Sequence, residues 1–94
     1  MATARETAQR HANDVVAGNM RAASADFTPE ALAAFQALGK LPPRPTTKAE
    51  IVDERHEGNQ EVFSIRYSND NESLTVRSWW EERDGAWKLV KAEA

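Results

Sequence analysis

The pair Asp84-Gly85, set between two alternating runs in ESLTVRSWWEERDGAWKLVKAEA (residues 72–94), constrains this chain more than any other feature. Both residues tolerate the positive φ that a two-residue type I′ turn requires, so the stretch predicts a β-hairpin with those two residues as its loop. The turn then sets the register: Arg83 lies opposite Ala86, Glu82 opposite Trp87, Glu81 opposite Lys88, Trp80 opposite Leu89 and Trp79 opposite Val90. One face collects Leu74, Val76, Trp80, Trp87 and Leu89. The other carries Thr75, Arg77, Trp79, Glu81, Lys88 and Val90, a mixed surface with a cross-strand Glu81/Lys88 pair.

The same alternation runs upstream. Gln60 to Ser68 reads as a strand in which Phe63, Ile65 and Tyr67 share a face, and Asn69-Asp70-Asn71 makes the turn that follows it. With Asp70-Asn71 as the loop, Tyr67 pairs with Leu74, Ile65 with Val76 and Val62 with Trp79, so the faces agree with those of the last hairpin. Lys48 to Glu57 precedes a Gly58-Asn59 turn and supplies a further strand. Two registers are open there. A two-residue loop turns Val52, Glu54 and His56 inward beside Ile65, Phe63 and Glu61; one more loop residue turns Ile51, Asp53 and Arg55 inward instead. Gly-Asn suits the two-residue loop and favours the first.

Before the strands the period changes. Ala4, Ala8, His11, Ala12, Val15 and Val16 recur at spacings of three and four between Thr3 and Ala17, an amphipathic helix whose small residues let it lie close to a sheet. Gly18 stops it. Met20 to Ala25 can form one or two further turns. Thr28, Pro29 and Glu30 are a helix start, and Ala31, Leu32, Phe35 and Leu38, with Phe27 before them, give the next helix an apolar face up to Gly39. Leu41-Pro42-Pro43-Arg44-Pro45 lacks the backbone donors of a helix or a central strand and serves as a stiff connector. The order predicts an α+β domain over residues 1–94: N-terminal helices packed on a four-stranded antiparallel meander.

Composition narrows the function classes. The chain holds 94 residues and no cysteine, so neither a disulfide framework nor a thiolate zinc site can stabilise its thin core. Its net charge is −3, with +1 over residues 1–45 (five Lys/Arg against four Asp/Glu) and −4 over residues 46–94 (seven against eleven). That balance argues against nucleic acid, which calls for a basic stripe. The first residues lack an apolar run of signal-peptide or membrane-span length, so no membrane association is expected and the expected compartment is the cytoplasm. No phosphate loop, metal-ligand cluster or cofactor motif is present, and no cofactor is expected.

Helices first, then a long meander whose last hairpin reads WEERDGAWKLV, resembles the nuclear transport factor 2-like superfamily, the curved α+β cone shared with polyketide-cyclase-like and ketosteroid-isomerase-like proteins. VVAGNMRAASADFTPEAL, Val15 to Leu32, resembles the segment where such proteins pass from their first helix into the second. The resemblance implies a cavity between sheet and helices, and frequent dimerisation through the sheet. It implies no particular activity, because this fold hosts enzymes, binding proteins and association domains alike.

Two functional readings follow. The first is a small dimeric binding or association module with an apolar ligand pocket lined by Phe35, Phe63, Ile65, Tyr67, Val76, Ser78, Trp80, Trp87 and Leu89, the large aromatics filling most of the space. The second is an acid/base enzyme of isomerase, dehydratase or cyclase type using Glu54 and His56, two apart on one strand and so on one face. His11, on the apolar side of the first helix, is expected to be a hydrogen-bonded packing residue. Val62, Trp79 and Val90 in register on the outer face, with Arg66 and Arg77 in a polar rim, have the anatomy of a homodimer interface. The competing account of Trp79 covers it with the N-terminus or the Pro42–Pro45 connector.

Overall fold

The computed structural model describes residues 2–94. Three helices, α1 (Ala4–Ala17), α2 (Met20–Ala25) and α3 (Pro29–Ala37), precede four strands, β1 (Lys48–Glu57), β2 (Gln60–Ser68), β3 (Ser73–Arg83) and β4 (Ala86–Glu93). The strands form one antiparallel meander in the order β1-β2-β3-β4, open at both edges, and the architecture is α+β.

Capping fixes where the helices begin. The Thr3 hydroxyl accepts the Glu6 amide at 3.1 Å while the Thr3 amide donates to the Glu6 carboxylate at 2.9 Å, a reciprocal pair that satisfies two of the free donors of α1. Gly18, at φ 77°, closes that helix in the left-handed conformation that costs glycine nothing. Thr28 and Pro29 open α3 as expected, the Thr28 hydroxyl accepting the Ala31 amide at 3.2 Å. The helix ends at Ala37, and Leu38 is exposed rather than part of the buried face.

Between α2 and α3 the chain docks on β4. The Leu89 amide donates to the Asp26 carbonyl at 2.8 Å, the Thr28 amide donates to the Leu89 carbonyl at 3.0 Å, and Phe27 lies between them in a parallel bridge. Part of an edge that would otherwise offer free backbone groups is thereby paired.

Both downstream hairpins have the expected loops. Asp84 and Gly85 sit at φ 54° and 82°, and Arg83 pairs with Ala86, Glu82 with Trp87, Glu81 with Lys88 and Trp80 with Leu89. Val62 opposite Trp79, Ile65 opposite Val76 and Tyr67 opposite Leu74 follow from the Asp70-Asn71 loop. The expected Trp79–Val90 pair does not form. A bulge intervenes, Trp79 pairs with Lys91, and Val90 is the inserted residue.

A second bulge resolves the two registers of β1. From Glu57 to Asp53 the two-residue loop governs, placing Glu54 opposite Phe63 and His56 opposite Glu61. Val52 is then inserted, and beyond it Ile51 pairs with Ile65 and Ala49 with Tyr67. Val52 is therefore exposed, not inward, and Ile51 takes the helix-facing position instead.

The core lies between that sheet face and the helices. Ala8 and Ala12 of α1 are fully buried and, carrying only a methyl each, admit the helix close to Trp80, Phe63 and Ile65. Trp80 is 0% exposed, whereas Trp87, near the hairpin tip, is only half-buried against the core edge. No helix among the described residues is long and apolar enough to cross a membrane.

Candidate functional site

The helical stripe of α1 carries His11 into the core, where its ring meets Trp80 and Phe27 edge-on at centroid distances of 5.5 and 5.8 Å. An imidazole surrounded by aromatics needs a polar partner, and Asp26 provides it: Nδ1 of His11 lies 2.9 Å from Oδ2 of Asp26. The docking of Asp26 on β4 sets that distance. Arg10, one residue before His11, also reaches the Asp26 carboxylate, and pairs with Asp14 at 2.7 Å. Burial pushes the Asp26 carboxyl up, but hydrogen bonds and charge from His11 and Arg10 outweigh it and hold the group below its ordinary value.

Next to this cluster is a cavity of about 110 Å³. Phe35 of α3 and Ile65, Tyr67, Val76, Ser78 and Leu89 of the sheet line it, as the alternation predicts. His11, Val15, Ala23, Phe27 and Leu32 complete much of the wall from the helical side. The surface is apolar with few exceptions. The Ser78 hydroxyl is occupied, donating to the Phe63 carbonyl at 2.9 Å and accepting Nε1 of Trp80 at 2.9 Å. Tyr67 differs: its hydroxyl makes no hydrogen bond among the described residues, and the residue borders the cavity. Burial first, and then the negative charge of Asp26, push the phenol up, so Tyr67 stays a neutral hydrogen-bond donor.

Phe63, Trp80 and Trp87 do not line the cavity. Phe63 and Trp80 are packed solid beneath α1, with Trp80 wedged against His11 and Ser78, and Trp87 lies beyond the helices' cover. The large aromatics thus fill one end of the space under the helices and leave the other hollow.

Glu54 and His56 share the helix-facing side of β1 but are not brought to the cavity. Glu54 pairs with Arg5 of α1 at the surface; the His56 ring, 68% exposed, has Nδ1 2.7 Å from the Glu61 carboxylate. The β1–β2 hairpin carries them past the buried part of the sheet.

The outer face is also resolved. Arg55, Val62, Trp79 and Lys91 form one cross-strand row. The Trp79 indole Nε1 donates to Glu57 of β1 at 3.4 Å, and the Lys91 ammonium sits 4.7 Å from the ring centroid. The ring spans the sheet above Val62, leaving Val62 2% and Trp79 9% exposed in a single chain. Within one chain, Glu57 and Lys91 are the charged neighbours that meet the ring at this apolar centre. Val90 has left it, lining a shallow cleft beside Ala31, Ala34 and Leu38.

Among the described residues no group of three His, Asp or Glu is placed to hold a metal ion. No protein-family model matches the chain, and neither the curated proteins nor the solved structures yield a match. The functional reading therefore rests on the site itself. Asp26 is the residue that sequence reasoning missed. Its signal was indirect: a histidine on a buried helical stripe must find a partner, and Asp26, in the short link between two helices, was within reach only after the link docked on β4.

Proposed function

We propose that the chain is a binding module for a small, largely apolar molecule that carries one hydrogen-bonding group, held in the cavity under the helices. The observation that carries this reading is Tyr67, whose neutral hydroxyl has no hydrogen-bond partner among the described residues, at the wall of an otherwise apolar hollow. Such a combination of apolar walls with one or two directing polar groups is the usual make-up of a ligand site. An apolar cavity of about 150 Å³ admits a benzene-sized guest, so this one suits a group no larger than a single ring. A short member of the nuclear transport factor 2-like superfamily would house a ligand in this place, and we keep that membership as part of the proposal. The wall of the cavity comes from one chain, so the reading does not require a homodimer.

Ligand-observed NMR with phenol and toluene against wild type and Tyr67→Phe tests it. Wild type should bind phenol saturably and more tightly than toluene, and Tyr67→Phe should lose that preference while still binding toluene. A wild type that saturates with neither compound would overturn the reading.

A specific observation favours a second reading. His11, oriented through Nδ1 by Asp26, leaves Nε2 as the ring nitrogen that Asp26 does not engage, and the ring lines the cavity that Tyr67 also faces. A carboxylate-oriented imidazole beside a neutral hydroxyl donor can move a proton on a bound carbonyl compound. If the chain is an acid/base enzyme, its base is His11 rather than His56, and deuterium exchange at a ketone's α-carbon, lost in His11→Gln, is the measurement that decides it.

A further inference from the structure

The cavity has a neighbour. Val15, Met20, Leu41 and Pro42 border both the hollow and a groove of about 560 Å³ that runs between the end of α1 and the Pro42–Pro45 connector, so the two spaces adjoin. The inner cavity alone, at about 110 Å³, falls below the roughly 300–1,000 Å³ typical of ligand pockets. Joined to the groove, it falls inside that range. Val16, Met20 and Leu41, three of the large apolar residues left exposed by the fold, border the groove. Arg44, exposed, is the one charged residue on the groove's wall among the described residues, and it makes no ion pair there.

We propose that the groove extends the site for an elongated amphiphile, a medium-chain carboxylic acid whose carboxylate meets Arg44 and whose chain runs inward over Val16, Met20 and Leu41 to end near Tyr67. The electrostatics set the direction. Asp26 puts negative charge close to Tyr67, which disfavours an anion in the inner cavity, while the exposed Arg44 guanidinium on the groove wall favours one there. An oxygen substituent at the far end of the chain would supply the partner that the Tyr67 hydroxyl lacks. This inference rests on the binding reading above and adds to it the length, charge and orientation of the ligand.

Decanoate and methyl decanoate, each below its aggregation limit, are titrated against wild type, Arg44→Gln and Val16→Glu, with phenol as the inner-cavity probe and circular dichroism to confirm that each variant is folded. Wild type should bind decanoate and release phenol as it does so. Arg44→Gln should weaken decanoate by about two- to fivefold, the size expected of an exposed ion pair, and leave methyl decanoate and phenol unchanged. Val16→Glu, which alters the groove alone, should weaken decanoate and spare phenol. If phenol binds but decanoate neither binds nor displaces it, this inference fails while the binding reading stands; if phenol also fails to bind, the binding reading fails with it. Equal weakening of acid and ester by Arg44→Gln would overturn the orientation. Co-sedimentation with phosphatidylglycerol vesicles without binding of monomeric decanoate would assign the apolar rim to a lipid surface and overturn the proposal.

Discussion

The Leu89 amide donates to the Asp26 carbonyl at 2.8 Å, so the last strand holds the one carboxylate that is buried beside the helices among the described residues. Leu89 in turn pairs with Trp80 across the final hairpin. Turn, core tryptophan and candidate site are thus linked by two consecutive sets of backbone bonds.

Acid sensitivity should follow from Asp26. Its carboxyl titrates below the ordinary value of ~3.9 in the folded chain, so the unfolded chain binds more protons in that window and stability rises with pH there. The contribution is present above about pH 4 and lost as pH falls through the folded value. Asp26→Asn should lower the unfolding free energy from urea titration at pH 7 by about 1–3 kcal/mol and flatten the acid limb between pH 5 and 3. A variant that keeps the full acid limb of wild type would show that Asp26 does not contribute to it.

Trp80→Ala should cost about 3–5 kcal/mol, enough to unfold much of a domain this small. Trp79→Ala should cost less, and Trp87→Ala, at a half-buried position, less again. Urea titrations followed by circular dichroism give the order directly.

Those tryptophans show what the sequence made legible and what it did not. The two Asp-centred loops fix register locally, so the pairings from Arg83–Ala86 to Trp80–Leu89 and from Ser68–Ser73 to Val62–Trp79 could be read off, and with them most of the sheet-borne cavity wall. The bulges at Val52 and Val90 could not, because a strand with an inserted residue still alternates on either side of it. Trp79 reads as an interface residue because it is a large apolar side chain on a polar face; its contacts with Glu57 and Lys91 depend on the neighbouring strands and a bulge and have no local signal. His11 was visible as a buried histidine needing a partner. Asp26 was not, since its place depends on backbone bonds to a strand more than sixty residues later.

The turn itself offers a sharp test. Gly85→Ala puts a β-carbon at φ 82° and should cost about 1–2 kcal/mol, whereas Asp84→Asn, at φ 54°, should be nearly neutral because asparagine accepts that conformation. Thermal melts of the two variants separate a backbone effect from a side-chain one.

Glu54→Gln combined with His56→Gln should leave phenol binding and stability almost unchanged, since Glu54 belongs to an exposed ion pair worth about 0–1 kcal/mol and the His56 ring is itself exposed. His11→Gln should weaken binding in the same NMR titration. The reverse result would move the site to the β1–β2 hairpin.

Val52 and Val90 sit on the two outermost strands, and each adds one unpaired residue to the stretch of its strand that pairs with the neighbour. Removing either would return Ile51 next to Asp53, or Leu89 next to Lys91, with every remaining side chain still on its own face. What would go is the arching that unequal strand lengths impose on a sheet. A flatter sheet could press against the alanine stripe of α1 along its whole length. The space beneath the helices is in this sense a matter of how many residues the outer strands hold as well as of which ones.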